Sequence, residues 1–320
     1  MHASSTPQHA LTQPRLSGEV NEVGYESMTV TKVPDWYGMI AWDALLNGMA
    51  TGLFMVAAVS ELAAPAVFTP VAKVAYPVAL VLLLVDLTML VFDLGDPLRF
   101  HHMLRVFKPY SPMSVGTWCL TIFSLPLTAA AGLSVLAVLG FDFERVRILA
   151  VIAALPFAFG SAAYKGVLLS TNAQPGWKDA RWLGGYLTNS ALLMGCGELL
   201  VLSAVMGHTQ ATDLLRTAFI VLLLLNLIPL GLLFANLQPA HARLYTPAQQ
   251  WRVATLLFAT SVLIPLTLTL LSGSLLFVFV AITFLLLASW IIRFVYIKIP
   301  HTAPLALQRI GRENRSIAGR

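Results

Sequence analysis

The chain has 320 residues, of which 58% are hydrophobic and only 11% are charged, and its formal net charge is +5. A soluble domain carries about 25% charged residues, so this composition excludes an ordinary soluble enzyme and favours a chain embedded in lipid. The basic residues occupy loops and chain ends rather than one folded face, which argues against a nucleic-acid-binding protein.

Eight apolar stretches are each long enough to cross a membrane, because about 20 apolar residues in an α-helix span roughly 30 Å of hydrocarbon. Several of them contain a proline, which a packed helical bundle accommodates as a kink. The sequence therefore predicts an all-α integral membrane protein of about eight transmembrane helices. The predicted spans are residues 37–60, 72–94, 113–139, 146–169, 183–206, 214–236, 251–271 and 274–297.

The predicted organisation is a polar N-terminal tail over 1–36, a transmembrane domain over 37–300 and a basic C-terminal tail over 301–320. The first residues lack the pattern of a signal peptide, so we expect the first span to be retained. Fifteen Lys and Arg residues fall on the side of the two termini and four on the other, with Lys165 inside a span. By the positive-inside rule, this bias predicts a multi-pass protein of the cytoplasmic membrane with both termini in the cytoplasm.

Polar and ionisable residues inside the spans are the first candidates for function, because lipid makes buried charge unfavourable. Spacings of four and seven residues place two pairs, Asp43 with Asn47 and Asp86 with Asp93, each on one helical face. Such a set is suited to a quinone pocket and a buried proton route, although an asparagine is equally suited to a simple interhelical hydrogen bond. The others are Tyr164, Lys165, Asn189, Glu198 and Asn226.

Redox cofactors lack a ligand set in this sequence. Cys119 and Cys196 lie in separate apolar stretches without a CxxC pattern, so we expect no iron–sulfur cluster and no disulfide. The seven histidines fall outside the predicted spans, which leaves no haem ligand there. The pair His101 and His102 is more typical of an interface than of a metal site. Any electron transfer therefore requires a partner subunit.

The most distinctive motif is DLGDPLRFHHMLRVFKPYSPMSVGTW, over residues 93–118 between the second and third spans. Gly95 and Pro97 predict a turn after a helix end, and residues 100–107 predict an amphipathic segment at the membrane interface. The Ser-Pro pair at Ser111 predicts the start of the next helix.

This motif resembles the DLGRPxRFxHML…SPMSxGxW signature of the polysulfide-reductase membrane-subunit family, also called NrfD-like. Residues 46–54 resemble the first helix of that family, and residues 164–177 resemble its YTGxLL…AxPxW segment. The resemblance extends from residue 36 to about 200. The chain differs at Asp96, where the family usually has a basic residue, and at Lys165, where it usually has threonine.

The resemblance implies an eight-helix anchor in two four-helix bundles, which binds menaquinone or a related quinone. It also implies two partners: an iron–sulfur subunit of the four-cluster ferredoxin type, which exchanges electrons with the quinone, and a molybdopterin catalytic subunit. Many such complexes serve an enzyme on the outer face of the membrane, whereas the charge bias of this chain places the docking loops inside.

The resemblance implies a quinone site near the loop between the second and third spans. We expect Asn47 and Tyr164 to hydrogen-bond to the quinone oxygens, Asp93 to accept a proton, and Arg99 and His102 to cap the pocket towards the partner subunit. Asp93 as a helix cap or as the partner of Arg99 is the structural alternative. The expected proton relay consists of Asp43, Asp86, Lys165 and Glu198, which alternatively neutralise one another.

Three other functions stay open. Buried Asp, Glu and Lys also suit an ion-coupled secondary transporter, although we find no inverted repeat. A passive anchor would hold a soluble enzyme without binding quinone. A proton-translocating quinone subunit of a larger respiratory complex would share the same quinone chemistry.

Overall fold

The computed structural model describes residues 38–318 except 95, 173, 175 and 272–273, so the predicted N-terminal tail lies outside the described residues. Within them, all regular secondary structure is helical. Eight helical stretches are long and apolar enough to cross a membrane, which confirms the predicted fold class. They are Gly38–Ala63, Pro65–Phe92, Pro112–Val138, Glu144–Ser170, Leu183–Val205, Thr209–Pro239, Pro247–Leu271 and Leu275–Pro300.

The described residues form ten α-helices, because the sixth and seventh spans are each built from two. A 3₁₀ helix, Pro97–Leu104, lies between the second and third α-helices, and a π-helical turn, Ala259–Leu263, lies inside the seventh span. The α-helices are α1 (Gly38–Ala63), α2 (Pro65–Phe92), α3 (Pro112–Val138), α4 (Glu144–Ser170), α5 (Leu183–Val205), α6 (Thr209–Leu225), α7 (Leu227–Leu244), α8 (Pro247–Phe258), α9 (Ile264–Leu271) and α10 (Leu275–Ala318).

Each of the two breaks described inside the spans lies a few residues before a proline. The sixth span is interrupted at Asn226, three residues before Pro229, and the π-helical turn ends just before Pro265. Proline lacks a backbone N–H, and its ring clashes with the carbonyl four residues earlier, so the regular helix is disturbed on its N-terminal side. The predicted kinks therefore become local breaks at these two positions.

The helices pack as two closed groups of four spans. In the first bundle, α1 packs on α2, α2 on α3, α3 on α4 and α4 on α1. In the second bundle, α5 packs on α6, α6 on α9, α9 on α10 and α10 on α5. Contacts of α5 with α1 and α4, and of α10 with α1, join the two bundles. This packing agrees with the two four-helix bundles that the resemblance implied.

The α1–α5 contact is a close crossing of two helix backbones. A Cβ atom added at Gly52 would overlap the backbone carbonyl of Ala191, and one added at Gly195 would overlap the backbone of Gly52. Small residues allow this approach, and they are typical of helix contacts inside membranes. Residues 46–54 of the first span, which include several small residues, therefore help to join the two bundles.

The loop between α2 and α3 follows the predicted sequence signals. Asp93 is the C-terminal cap of α2, and the 3₁₀ helix Pro97–Leu104 follows it. Ser111 caps the N-terminus of α3, where its hydroxyl accepts a hydrogen bond from the Ser114 backbone N–H at 3.4 Å, and Pro112 is the first helical residue. The predicted helix end and the Ser-Pro helix start are both confirmed.

The last helix is longer than the last predicted span. α10 continues past Pro300, the end of the eighth candidate span, to Ala318. Most of the segment predicted as a basic C-terminal tail is therefore helical.

Candidate functional site

A buried lysine lies between two aspartates inside the first bundle. The Lys165 ammonium is 2.8 Å from Asp43 Oδ1 and 3.4 Å from Asp86 Oδ1, and it donates a hydrogen bond to the Asp43 backbone carbonyl at 3.1 Å. At Asp43 Oδ1 the contact is an ion pair without aligned hydrogen-bond geometry. All three side chains are buried, and they come from α4, α1 and α2. We call them the acid–lysine cluster, which carries a net charge of −1 when all three residues are ionised.

Asn47 extends this cluster by one helical turn of α1. Its Nδ2 donates hydrogen bonds to Asp86 Oδ2 at 3.2 Å and to Ser161 Oγ at 3.1 Å. Asp43 and Asn47 therefore lie on one face of α1, as their spacing predicted. The predicted neutralisation of Asp86 by Lys165 is also present, because their side chains form an ion pair.

Tyr164 lies beside the cluster and packs on the first turns of α3, where the motif over residues 93–118 ends. A Cβ atom at Gly116 would overlap the Tyr164 ring, so the glycine makes room for this side chain. The Lys165 ammonium is 5.7 Å from the centroid of the same ring. The two segments that carry the resemblance, 93–118 and 164–177, therefore meet at this site.

Asp93 lies at the end of α2, two helical turns beyond Asp86, and is half-buried. Burial raises the pKa of Asp93, and the negative charge of Asp43 raises it further. The expected alternative pairing with Arg99 is not present, because Arg99 forms its ion pair with Asp96 at 3.0 Å. Asp96, where the family usually has a basic residue, therefore neutralises a neighbouring arginine.

Arg99 and His102 lie away from the acid–lysine cluster. Both side chains are exposed on the 3₁₀ helix Pro97–Leu104, and the His102 ring packs edge-on against His101 with centroids 4.5 Å apart. The structure therefore does not bring them to the buried polar groups, and their contact with a quinone stays a prediction.

Glu198 also lies apart from the cluster. Both of its carboxylate oxygens are buried, and neither has a hydrogen-bond partner among the described residues. Its place in a proton relay stays a prediction. Asn189 and Asn226 form an interhelical hydrogen bond of 2.9 Å at the break in the sixth span, as their structural alternative predicted.

A second buried charge cluster was missed by the sequence reasoning. The Arg147 Nη1 atom is 2.8 Å from Glu61 Oε1 and 2.9 Å from Glu61 Oε2, and the Tyr76 hydroxyl donates to Glu61 Oε2 at 2.6 Å. Arg147 was tallied with the basic residues on one side of the membrane, although the predicted span 146–169 contains it, and the predicted first span ended just before Glu61. The sequence signal for this pair was a glutamate at the end of the first span and an arginine at the start of the fourth, which lie on the same side of the membrane.

Arg293 was also tallied with the basic residues on the side of the termini, although the predicted span 274–297 contains it; it is only 3% exposed. It lies on α10, and its guanidinium reaches α1 by a hydrogen bond from Nε to the Ala44 carbonyl at 3.3 Å. A bond of 3.4 Å from its Nη1 to Ser190 Oγ reaches α5. Arg293 therefore links the last span to both α1 and α5.

Metal ligands are not grouped in the described part of the chain, where no three His, Cys, Asp or Glu side chains are placed to hold an ion. Cys196 is buried with its Sγ 3.6 Å from the Leu215 carbonyl, and Cys119 is half-buried. Both cysteines are free thiols.

The fold and the site define a multi-pass helical membrane protein with ionisable side chains inside its first bundle. The sequence model of the family described as "Polysulphide reductase, NrfD" matches residues 28–302. The chain therefore belongs to the NrfD polysulphide reductase family. The match includes spans six to eight, beyond the segment in which the motifs lie. Comparison with curated proteins gave no significant match.

Proposed function

We propose that the chain is the quinone-handling membrane subunit of a respiratory oxidoreductase complex. In this role it binds menaquinone or a related quinone and exchanges electrons with an iron–sulfur subunit. Family membership supports a membrane subunit of this kind. The observation that carries the proposal is the acid–lysine cluster, which lies beside Asn47 and Tyr164 where the family-like segments meet.

The side chains at this site fit the chemistry of a quinone. Its two oxygens need hydrogen-bond donors, which the Asn47 amide, the Tyr164 hydroxyl and the Lys165 ammonium provide. A carboxylate close to them is needed to accept a proton, and Asp43 and Asp86 supply that group. When bound as quinol, the cofactor supplies two electrons and two protons. The protein supplies the groups that orient it and take up the protons.

The composition of the cluster suits the uptake of one proton. Lys165 is the direct partner of two carboxylates, and it can neutralise only one of them. Asp43 or Asp86 can therefore bind a proton while the other carboxylate keeps its ion pair with Lys165. Asp93 lies at the end of the same helix as Asp86 and leads from the cluster to the aqueous side. Its raised pKa suits a group that accepts a proton and releases it again.

The loop over residues 97–110 is the proposed docking surface for the iron–sulfur subunit. Leu98 and Tyr110 are largely exposed there, next to the exposed basic side chains of Arg105 and Lys108. Exposed apolar and basic groups together suit an acidic protein partner. A molybdopterin catalytic subunit would bind the iron–sulfur subunit in turn. The charge bias of the sequence favours the cytoplasmic side for this surface.

The proposal is tested by quinol-dependent electron transfer in the assembled complex. We expect Lys165→Met, Asp86→Asn and Tyr164→Phe each to lower turnover at least 10-fold or to weaken quinol affinity, because each removes a proton-accepting or orienting group. Arg216→Gln is the control, since Arg216 donates to the Thr269 and Leu270 carbonyls in the second bundle. Unchanged turnover and affinity in all three site variants would refute the site.

A proton-translocating quinone subunit is a second candidate function. It is favoured by the buried ion pair of Glu61 and Arg147, because Glu61 lies about 27 Å along α1 from Asp43. Charged groups near both ends of one bundle suit a route across the membrane. The test is the release of protons on both sides of proteoliposomes during quinol oxidation, with and without Glu61→Gln. Release on one side only, unaffected by the variant, would exclude this function.

An ion-coupled transporter is tested separately by the chain alone. In proteoliposomes without partner subunits, a transporter would move a solute in response to an ion gradient. The quinone subunit that we propose would show no such uptake.

A further inference from the structure

Arg293 is a buried arginine at the junction of the two bundles. Its hydrogen bonds go to the Ala44 carbonyl at 3.3 Å, the Ser289 carbonyl at 3.1 Å, and the hydroxyls of Ser190 and Ser289. The two serine hydroxyls are themselves 3.0 Å apart. A small cavity beside the guanidinium is also lined by Leu169 of α4, so four helices meet at this position.

The positive charge of Arg293 is not neutralised by a direct partner. Every acceptor that it reaches is a neutral oxygen, and no carboxylate of the described residues lies within ion-pair distance. Hydrogen bonds to neutral oxygens offset only part of the free-energy cost of burying an ion. An excess of negative charge close by would therefore stabilise the arginine further.

That excess lies on the other side of α1. Lys165 donates to the Asp43 carbonyl, and Arg293 donates to the Ala44 carbonyl, which is the next one along the same helix. Successive carbonyl oxygens of an α-helix are so close that the two cationic groups are at most about 10 Å apart. Asp43 Oδ1 is 2.8 Å from the lysine, so the carboxylate is at most about 13 Å from the Arg293 guanidinium. The acid–lysine cluster has a net charge of −1, and Arg293 makes the whole set neutral.

We propose that Arg293 is a positioning residue for proton uptake: its charge keeps both carboxylates of the acid–lysine cluster ionised until a proton arrives. This inference rests on the proposed function, because it assigns a second-bundle residue to the same site. Two titratable side chains, Tyr186 of α5 and Tyr296 of α10, line the same cavity as Arg293. The charged groups Asp43 of α1 and Lys165 of α4 lie one carbonyl away along α1.

The size of the titration shift follows from the distance between Arg293 and the carboxylate. Two unit charges about 10–13 Å apart in a medium of effective dielectric constant about 20 shift a titration by roughly one pH unit. The direction of the shift follows from the positive charge of Arg293, which favours the ionised form of a nearby carboxylate. Without Arg293 the cluster holds a proton more readily, so a higher pH is needed before it can accept one from the quinol.

The experiment is the pH dependence of quinol-dependent turnover in the assembled complex. We expect Arg293→Gln and Arg293→Met to move the acidic limb of the profile about one pH unit higher. Arg293→Lys, which keeps the charge, should stay close to the wild-type profile. Ser190→Ala removes a hydrogen-bond acceptor without changing the charge, and Arg216→Gln removes a distant cation, so neither should move the limb.

Several outcomes would overturn the inference. These are an unmoved acidic limb in both neutral variants, an equal shift in Arg216→Gln, or assembly of the complex only when Arg293 is arginine or lysine. The last result would give the residue a purely structural role. Asp86→Asn separates the inference from the proposed function. If that variant changes the profile and Arg293→Gln does not, only the inference fails; if neither does, the proposed site fails as well.

Discussion

The Lys165 ammonium lies 2.8 Å from the Asp43 carboxylate in the interior of the first bundle. Where the family signature has threonine, this chain has a lysine, and its cation lies between two buried aspartates. The difference from the signature is therefore matched by the charges around it. Because the three charges interact, removal of any one of them should change both the stability and the protonation of the site.

Lys165→Thr would restore the residue that is usual in the family but leave two carboxylates without a cation. We expect a loss of about 3–5 kcal/mol in the free energy of unfolding, as for other broken buried ion pairs. Thermal denaturation of the purified complex in detergent measures it. Lys165→Thr combined with Asp43→Asn should recover part of the loss, and a single variant as stable as wild type would contradict the charge pairing.

Glu61→Gln leaves Arg147 without a counter-charge, and we expect a loss of about 3–5 kcal/mol for the same reason. Tyr76→Phe removes only a hydrogen bond to the same carboxylate and should lose about 1 kcal/mol. Replacement of both charges, in Glu61→Leu with Arg147→Met, should be tolerated better than Glu61→Gln alone. Melting temperatures of the four proteins compare these cases, and equal values would show that the pair is not stabilising.

Asp93→Asn should change stability in a pH-dependent way. Because burial and Asp43 raise the pKa of Asp93 in the folded protein, its ionised form is unfavourable there, and the folded state loses stability as the pH rises above the usual range of an aspartate. The variant lacks this loss. Its melting temperature should therefore exceed that of wild type at neutral pH and approach it in acid. A constant difference across pH would show that Asp93 does not titrate in this way.

Gly116→Ala tests the packing of Tyr164. A Cβ atom at this position would overlap the tyrosine ring, so the ring must move, and we expect turnover with quinol to fall about 10-fold or more. The matched control is Gly132→Ala in the same helix, where a Cβ atom would meet nothing within 4 Å. That change should keep turnover and stabilise α3 by up to about 1 kcal/mol. Equal turnover in both variants would remove Tyr164 from the site.

The membrane spans were predictable from the sequence because a long apolar stretch is a strong local signal. The shared helical face of Asp43 and Asn47 could also be predicted, since it depends only on helical periodicity. The partners of these residues on other helices could not be predicted. The ion pairs of Lys165 depend on how three helices pack, which no local pattern encodes.

The missed cations have one physical cause. The tally of basic residues assigned every arginine near a span end to one side of the membrane, even where the predicted span contained it. The predicted span 146–169 contains Arg147, and 274–297 contains Arg293. Both side chains are buried inside the bundles. An arginine within a turn or two of a predicted span end is a candidate for burial when a neighbouring span offers acceptors at the same depth.

The close crossing at Gly52 also limits how the protein can move. Alternating access needs one bundle to rock over the other, and such motion requires a layer of side chains between them that can slide. At Gly52 and Ala191 the two backbones are in direct contact, so a rotation that brings α1 and α5 closer there would drive main-chain atoms into each other. We therefore expect the two bundles to move little relative to each other. Fixed distances of this kind suit the transfer of protons and electrons better than the transport of a solute.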